Sequence, residues 1–131
     1  MDLQTKVNSK PSEKKIGYQD KILLLGSCFA DNIGSKFGEY YFQCTVNPFG
    51  TLYNPASIRR SIDLSLSRNN KRYMLQHNGL WHSMMHHGTF SHPDKDMLIA
   101  RCEESQTLLR MALQNASTII VTFGTSWVYK M

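Results

Sequence analysis

The chain has 131 residues, 41% of them apolar, and a formal net charge of +5. That is the length of one ordinary domain with enough apolar material for a packed core. No stretch approaches the roughly 18 consecutive apolar residues of a helical membrane span, so no membrane role is expected.

Residues 1–20, MDLQTKVNSKPSEKKIGYQD, form a polar, lysine-rich N-terminal segment. It holds no apolar run of signal-peptide type, and the expectation is a cytoplasmic protein. Cys28, Cys44 and Cys102 are odd in number and lack CxxC spacing. They read as reduced thiols.

Residues 22–25, Ile-Leu-Leu-Leu, are too short for a helix and unbroken in apolarity. This is the pattern of a strand buried on both faces, which implies a parallel sheet covered by helices. Gly26-Ser27 follows, and then Phe29, Ile33, Phe37 and Tyr40 or Tyr41 recur at helical spacing, with Asp31 in the first turn. The stretch VNPFGTLYNPAS reads as an irregular loop whose second Asn-Pro opens a helix, capped by Asn54 with Pro55 at its first position. Ile58, Ile62 and Leu66 would line one face of that helix, and Asn69-Asn70 would end it. Arg59, Arg60, Arg68, Lys71 and Arg72 make the densest basic cluster. A solvated helix face explains them. No nucleic-acid partner is expected, because neither a binding motif nor interleaved aromatics accompanies the charge.

RYMLQHNGLWHSMM reads as a hairpin turning at Asn78-Gly79. Pro93, Asp94 and Asp96 start a long helix with Leu98, Cys102, Leu109, Ala112 and Ala116 as its buried stripe. Ile119 to Phe123 form a second buried strand ending in Gly124-Thr125. Two apolar strands, each closing on Gly plus a hydroxyl residue and separated by helices, outline an open, mostly parallel α/β sheet. In such sheets ligands sit at the carboxyl ends of the strands. Doubly wound domains usually have more strands than these two, so residues 21–131 are expected to be an incomplete N-terminal portion of a larger domain.

Ser27 has two readings. As the first cap of a helix, its hydroxyl accepts a first-turn N–H. As a nucleophile, it projects from a tight strand-to-helix turn whose N–H groups can hold a developing oxyanion. Gly26 permits the turn, but the G-x-S-x-G elbow is absent. His82, His86, His87 and His92 fall close together. No acid or cysteine completes a ligand set and glycines interrupt any helix, so neither a metal nor a cofactor is expected. Cys28 is expected to be a buried, inert thiol, although a helix amino end could activate it.

GSCFA at residues 26–30, NPFGTLYNP at 47–55, WHSMMHHGTFSH at 81–92 and TFGTSWVY at 122–129 together resemble the GSCFA domain family. That family is itself similar to a branch of the SGNH/GDSL hydrolases, α/β enzymes that cleave esters with a serine on the turn after the first strand. The resemblance implies serine-dependent hydrolysis or transfer of an acyl group, on a small-molecule or carbohydrate ester. Ser27 would be the nucleophile, Gly50 an oxyanion-hole N–H, and Thr125 would stand where the wider superfamily has an asparagine donor. Asn47, Gly124, His86 and His87 would line the substrate site. Taken alone, Gly50 reads as a loop residue with an unusual backbone angle and Thr125 as a turn or cap. The superfamily's catalytic Asp and His come from a late block not found before residue 131, so little activity is expected of the chain by itself. The competing reading is a non-catalytic ligand-binding or structural domain that keeps the fold. No oligomeric state follows from the sequence.

Overall fold

The computed structural model describes residues 5–67 and 73–128. Its central strand is β1 (Lys21–Gly26), whose residues from Ile22 to Gly26 are all buried. β1 pairs in parallel with β2 (Gln43–Val46) on one side and β5 (Thr118–Thr122) on the other, giving the order β2-β1-β5. Leu23 lies opposite Thr45 and Ile119, and Gly26 opposite Thr122. The open parallel sheet expected from the apolar run is therefore present, with one strand more than the sequence revealed.

α1 (Cys28–Glu39) covers one face of the sheet. Ile22, Leu24 and Ala30 are buried there, with Ile33, Phe37, Val46 and Ile120 packed against them. α2 (Pro55–Leu66) and α3 (Lys95–Asn115) cover the other face. That core joins Leu23, Leu25, Phe49, Ile58 and Leu109 to Ile62, Leu64, Ala112 and Ala116. Each fully buried leucine here stabilises the fold by about 2 kcal/mol. α2 begins as predicted, whereas α3 begins at Lys95, past the expected Pro93, with Asp94 as its cap and not within its first turn. Asn54 Oδ1 accepts the Ser57 N–H at 2.8 Å, and Asp94 Oδ1 accepts from Asp96 and Met97 at 2.8 and 3.1 Å. β3 (Met74–His77) and β4 (Leu80–Ser83) form the antiparallel hairpin around Asn78-Gly79. A single turn of 3-10 helix, Gly88–Phe90, then leads towards α3.

Four further expectations need correction. The α1 stripe is shorter than its spacing implies: Tyr40 and Tyr41 lie past the helix and are exposed, and so is Phe29. Leu66 is exposed, because α2 turns Ser61 and Ser65 inward and each donates its hydroxyl to a carbonyl of the same helix. α2 ends at Leu66, ahead of Asn69-Asn70, which lie outside the described residues together with Arg68, Lys71 and Arg72. β5 ends at Thr122, leaving Phe123 outside it and exposed, and is half-buried on one face only. Ile120 packs on α1, but Ile119 and Val121 are 49% and 42% exposed, since the helix on their side, α3, packs against Leu23 and Leu25 of β1.

Candidate functional site

The carboxyl ends of β1 and β5 meet where Gly26 passes Thr122. A Cβ on Gly26 would lie 2.0 Å from the Thr122 carbonyl oxygen and 2.5 Å from its hydroxyl, and the backbone φ there is +141°. Only glycine fits that crossing. Ser27 follows at once and is 6% exposed. Its N–H donates to Thr122 Oγ1 at 3.1 Å, and the two hydroxyl oxygens lie 3.2 Å apart. Ser27 Oγ also accepts the Phe29 N–H at 3.3 Å, so the capping geometry expected of it is present. Among the described residues no histidine nitrogen is hydrogen-bonded to Ser27.

The other candidates reach this edge by different routes. Gly124 touches it directly: a Cβ there would lie 3.5 Å from Ser27 Cβ and 2.8 Å from the Tyr53 ring. The Gly124 and Thr125 amides both donate to the Tyr53 carbonyl, at 2.8 and 2.9 Å. The Thr125 hydroxyl accepts the Trp127 N–H at 3.1 Å, which is the turn role it was read to have. Asn47, immediately after β2, is buried in a left-handed conformation (φ +41°). Its Oδ1 accepts the Gly26 N–H at 2.8 Å, and its Nδ2 donates to Asp31 Oδ1 at 2.6 Å. Gly50 (φ +77°) closes the same loop, its N–H donating to the Asn47 carbonyl at 2.8 Å. Asn47 thus ties the Gly50 loop to the turn before Ser27, while the Gly50 N–H is already engaged.

A cleft of about 490 Å³ opens beside this loop, lined by Asp31, Ser35, Asn47, Gly50, Thr51, His87 and Thr89 among others. That lies within the roughly 300–1,000 Å³ of ordinary small-molecule sites. His87 is among the lining residues. Its Nδ1 accepts the Thr89 N–H at 3.3 Å and lies 3.1 Å from the Thr89 hydroxyl. His86 does not line the cleft. It is buried, stacked on Phe49, and bonded through both ring nitrogens to Ser83 and Ser105. Burial pushes its pKa from the ordinary 6.5 down to about 4.

Cys28 is exposed, contrary to expectation, because the first turn of α1 presents it at the surface. Among the described residues no group of His, Cys, Asp or Glu could hold a metal. Thr122 and Asp31 are the participants that sequence reasoning missed. Thr122 carried a signal, as the hydroxyl residue just ahead of Phe123-Gly124. Asp31 carried none beyond its place in a first helical turn.

A family model described as GSCFA family matches residues 21–131. The chain belongs to the GSCFA family. The GSC of the family stretch is the β1–α1 crossing just described: the glycine that clears Thr122, the capping serine, and the exposed cysteine. Neither the curated proteins nor the solved structures offer a match to this GSCFA chain.

Proposed function

We propose that this GSCFA domain performs serine-dependent hydrolysis or transfer of an acyl group, with Ser27 as nucleophile and a small-molecule or carbohydrate ester as substrate. One observation carries the reading. Ser27 sits where the central parallel strand gives way to a helix, at the sheet edge where open α/β folds receive ligands, against Thr122 of the neighbouring strand and Gly124 just past its end.

Ser27 Oγ would form a bond to the acyl carbon as the carbonyl electron pair moves onto oxygen. The alcohol would then leave, and water or a second alcohol would take the acyl group from the serine. The oxyanion donors would be the N–H groups of Ser27 and Gly50, with Thr125 as a further donor. In the resting arrangement they bond to Thr122 Oγ1, the Asn47 carbonyl and the Tyr53 carbonyl, so the substrate oxygen must replace those partners. The attack also needs a base for the serine proton, and the reading requires that one be brought to Ser27. The cleft beside Asn47 and Gly50 would hold the polar part of the substrate, against Asp31 and His87.

A second reading, a non-catalytic ligand-binding domain, is favoured by a different observation. Ser27 is buried and serves as a cap, whereas the open cleft lies across Asn47 from it. A fluorophosphonate probe separates the two. The catalytic reading expects a covalent adduct on the Ser27 peptide, lost in Ser27→Ala, together with Ser27-dependent turnover of short acyl esters. Ester turnover that survives Ser27→Ala, or no adduct at Ser27, refutes the nucleophile.

A further inference from the structure

One direction lets all the serine hydrogen bonds around His86 form at once. Ser105 Oγ donates to the Cys102 carbonyl at 2.9 Å, and a hydroxyl has one proton to give. Towards His86 Nε2, 2.8 Å away, Ser105 can therefore only accept. Nε2 then carries the ring proton. A neutral imidazole has one N–H, so Nδ1 is bare and accepts from Ser83 Oγ at 2.7 Å. Ser83 Oγ in turn accepts the Met85 N–H at 3.3 Å. In this arrangement the ring is the neutral Nε2–H tautomer, and it links the end of β4 to the middle of α3.

What this link supports is the loop next to Ser27. The His86 ring stacks on Phe49 with centroids 4.2 Å apart and planes within 4°, and Phe90 closes its surroundings at 4.7 Å. The Phe49 carbonyl accepts the His87 N–H at 2.9 Å, and His87 Cβ occupies the space a side chain on Gly50 would need, 2.4 Å from that position. The Ser105 and Phe49 contacts thus lead from α3 through His86 to the loop of residues 47–50. We propose that His86 is a positioning residue, fixed as the Nε2–H tautomer by Ser83 and Ser105, which holds the Asn47–Gly50 loop against the Ser27 turn. Its bearing on catalysis rests on the proposed serine chemistry; its tautomer and its hold on the loop do not. The low pKa agrees with the geometry, because a cation here would lie between two aromatic rings with no carboxylate bonded to it.

The test uses the full chain labelled with ¹⁵N. At pH 7 the two-bond imidazole correlations of His86 should show a protonated Nε2 and a bare Nδ1. An Nδ1–H tautomer or an imidazolium overturns the proposal. Ser105→Ala removes the acceptor with the least disturbance, and Phe49→Leu removes the stack. In both variants amide exchange at Gly50 and His87 should quicken about tenfold, the effect of losing one buried interaction, while Leu23 and Leu24 in β1 keep their wild-type rates. Equal acceleration in β1, or none at Gly50, overturns the positioning role. If the wild-type chain turns over esters, Ser105→Ala should lower kcat and leave KM unchanged, and an unaltered kcat counts against the role. Little turnover is expected of the chain by itself, so the imidazole and exchange measurements decide His86 independently of the hydrolase reading, which stands or falls on Ser27→Ala.

Discussion

Gly26 and Ser27 are neighbours whose substitutions should behave very differently, because backbone crowding governs one and the hydrogen bonds of a hydroxyl the other. Gly26→Ala would force a Cβ to 2.0 Å from the Thr122 carbonyl at a φ that L-residues avoid. Relief requires β5 to move away from β1 at the point where the site is assembled. The expected cost is about 3 kcal/mol or more, read from urea unfolding at pH 7. A loss below about 1 kcal/mol would show that the crossing is loose. Ser27→Ala removes one cap acceptor and should cost only about 1 kcal/mol. The gap between these values makes Ser27→Ala usable as a functional probe: an activity it abolishes is not abolished by unfolding.

At the scale of elements, β5 shows most clearly what the sequence could and could not disclose. Its apolar run marks it as a strand, but burial depends on which helix lies above each face. Ile120→Ala, beneath α1, should cost about 2 kcal/mol. Val121→Thr, one residue along and 42% exposed, should cost less than about 0.5 kcal/mol. Urea midpoints for the pair measure the difference, and similar losses would mean that the outer face of β5 is covered in solution. β1 was legible because four consecutive apolar residues admit little else. β2 was not, because Gln-Cys-Thr-Val has no periodicity of its own and becomes a strand through its pairing with β1. The capped start of α2 was legible because a cap is a local device, whereas Tyr40 and Tyr41 continued the α1 spacing past the point where the backbone leaves the helix. The site divides in the same way. Gly26-Ser27 is a local signal. Asn47 joins Gly26 and Asp31 across 21 and 16 residues, and His86 meets Ser105 across 19, separations over which no pattern in one sequence speaks.

For the whole molecule, two groups among the described residues with depressed pKa values, Asp20 and His86, act in separate pH ranges. Asp20 is held below the usual carboxylate value first by the Ser117 hydroxyl and then by the Gly17 N–H, so what it contributes is lost only in strong acid, below about pH 3.8. His86 acts earlier. Its native pKa of about 4 lies below the ordinary 6.5, so between these values the unfolded chain binds a proton that the folded one refuses. Stability therefore rises with pH across that interval and levels off above it. The slope from this one group is about 1.4 kcal/mol per pH unit, about 3 kcal/mol over the whole window. Cys102, with Sγ 3.6 Å from Nδ1, belongs to the same surroundings, and both serine partners of the ring are uncharged. Replacing the imidazole by an amide removes the titration while keeping a polar side chain. Urea unfolding at half-unit steps from pH 4.5 to 7.5 should thus give a steep limb for the wild type. The limb should be shallower by that slope in His86→Gln, whose plateau should lie lower because an amide cannot reproduce both ring contacts. Parallel limbs in the two proteins would mean that His86 takes up its proton as readily folded as unfolded, and that the core around Phe49 tolerates the charge.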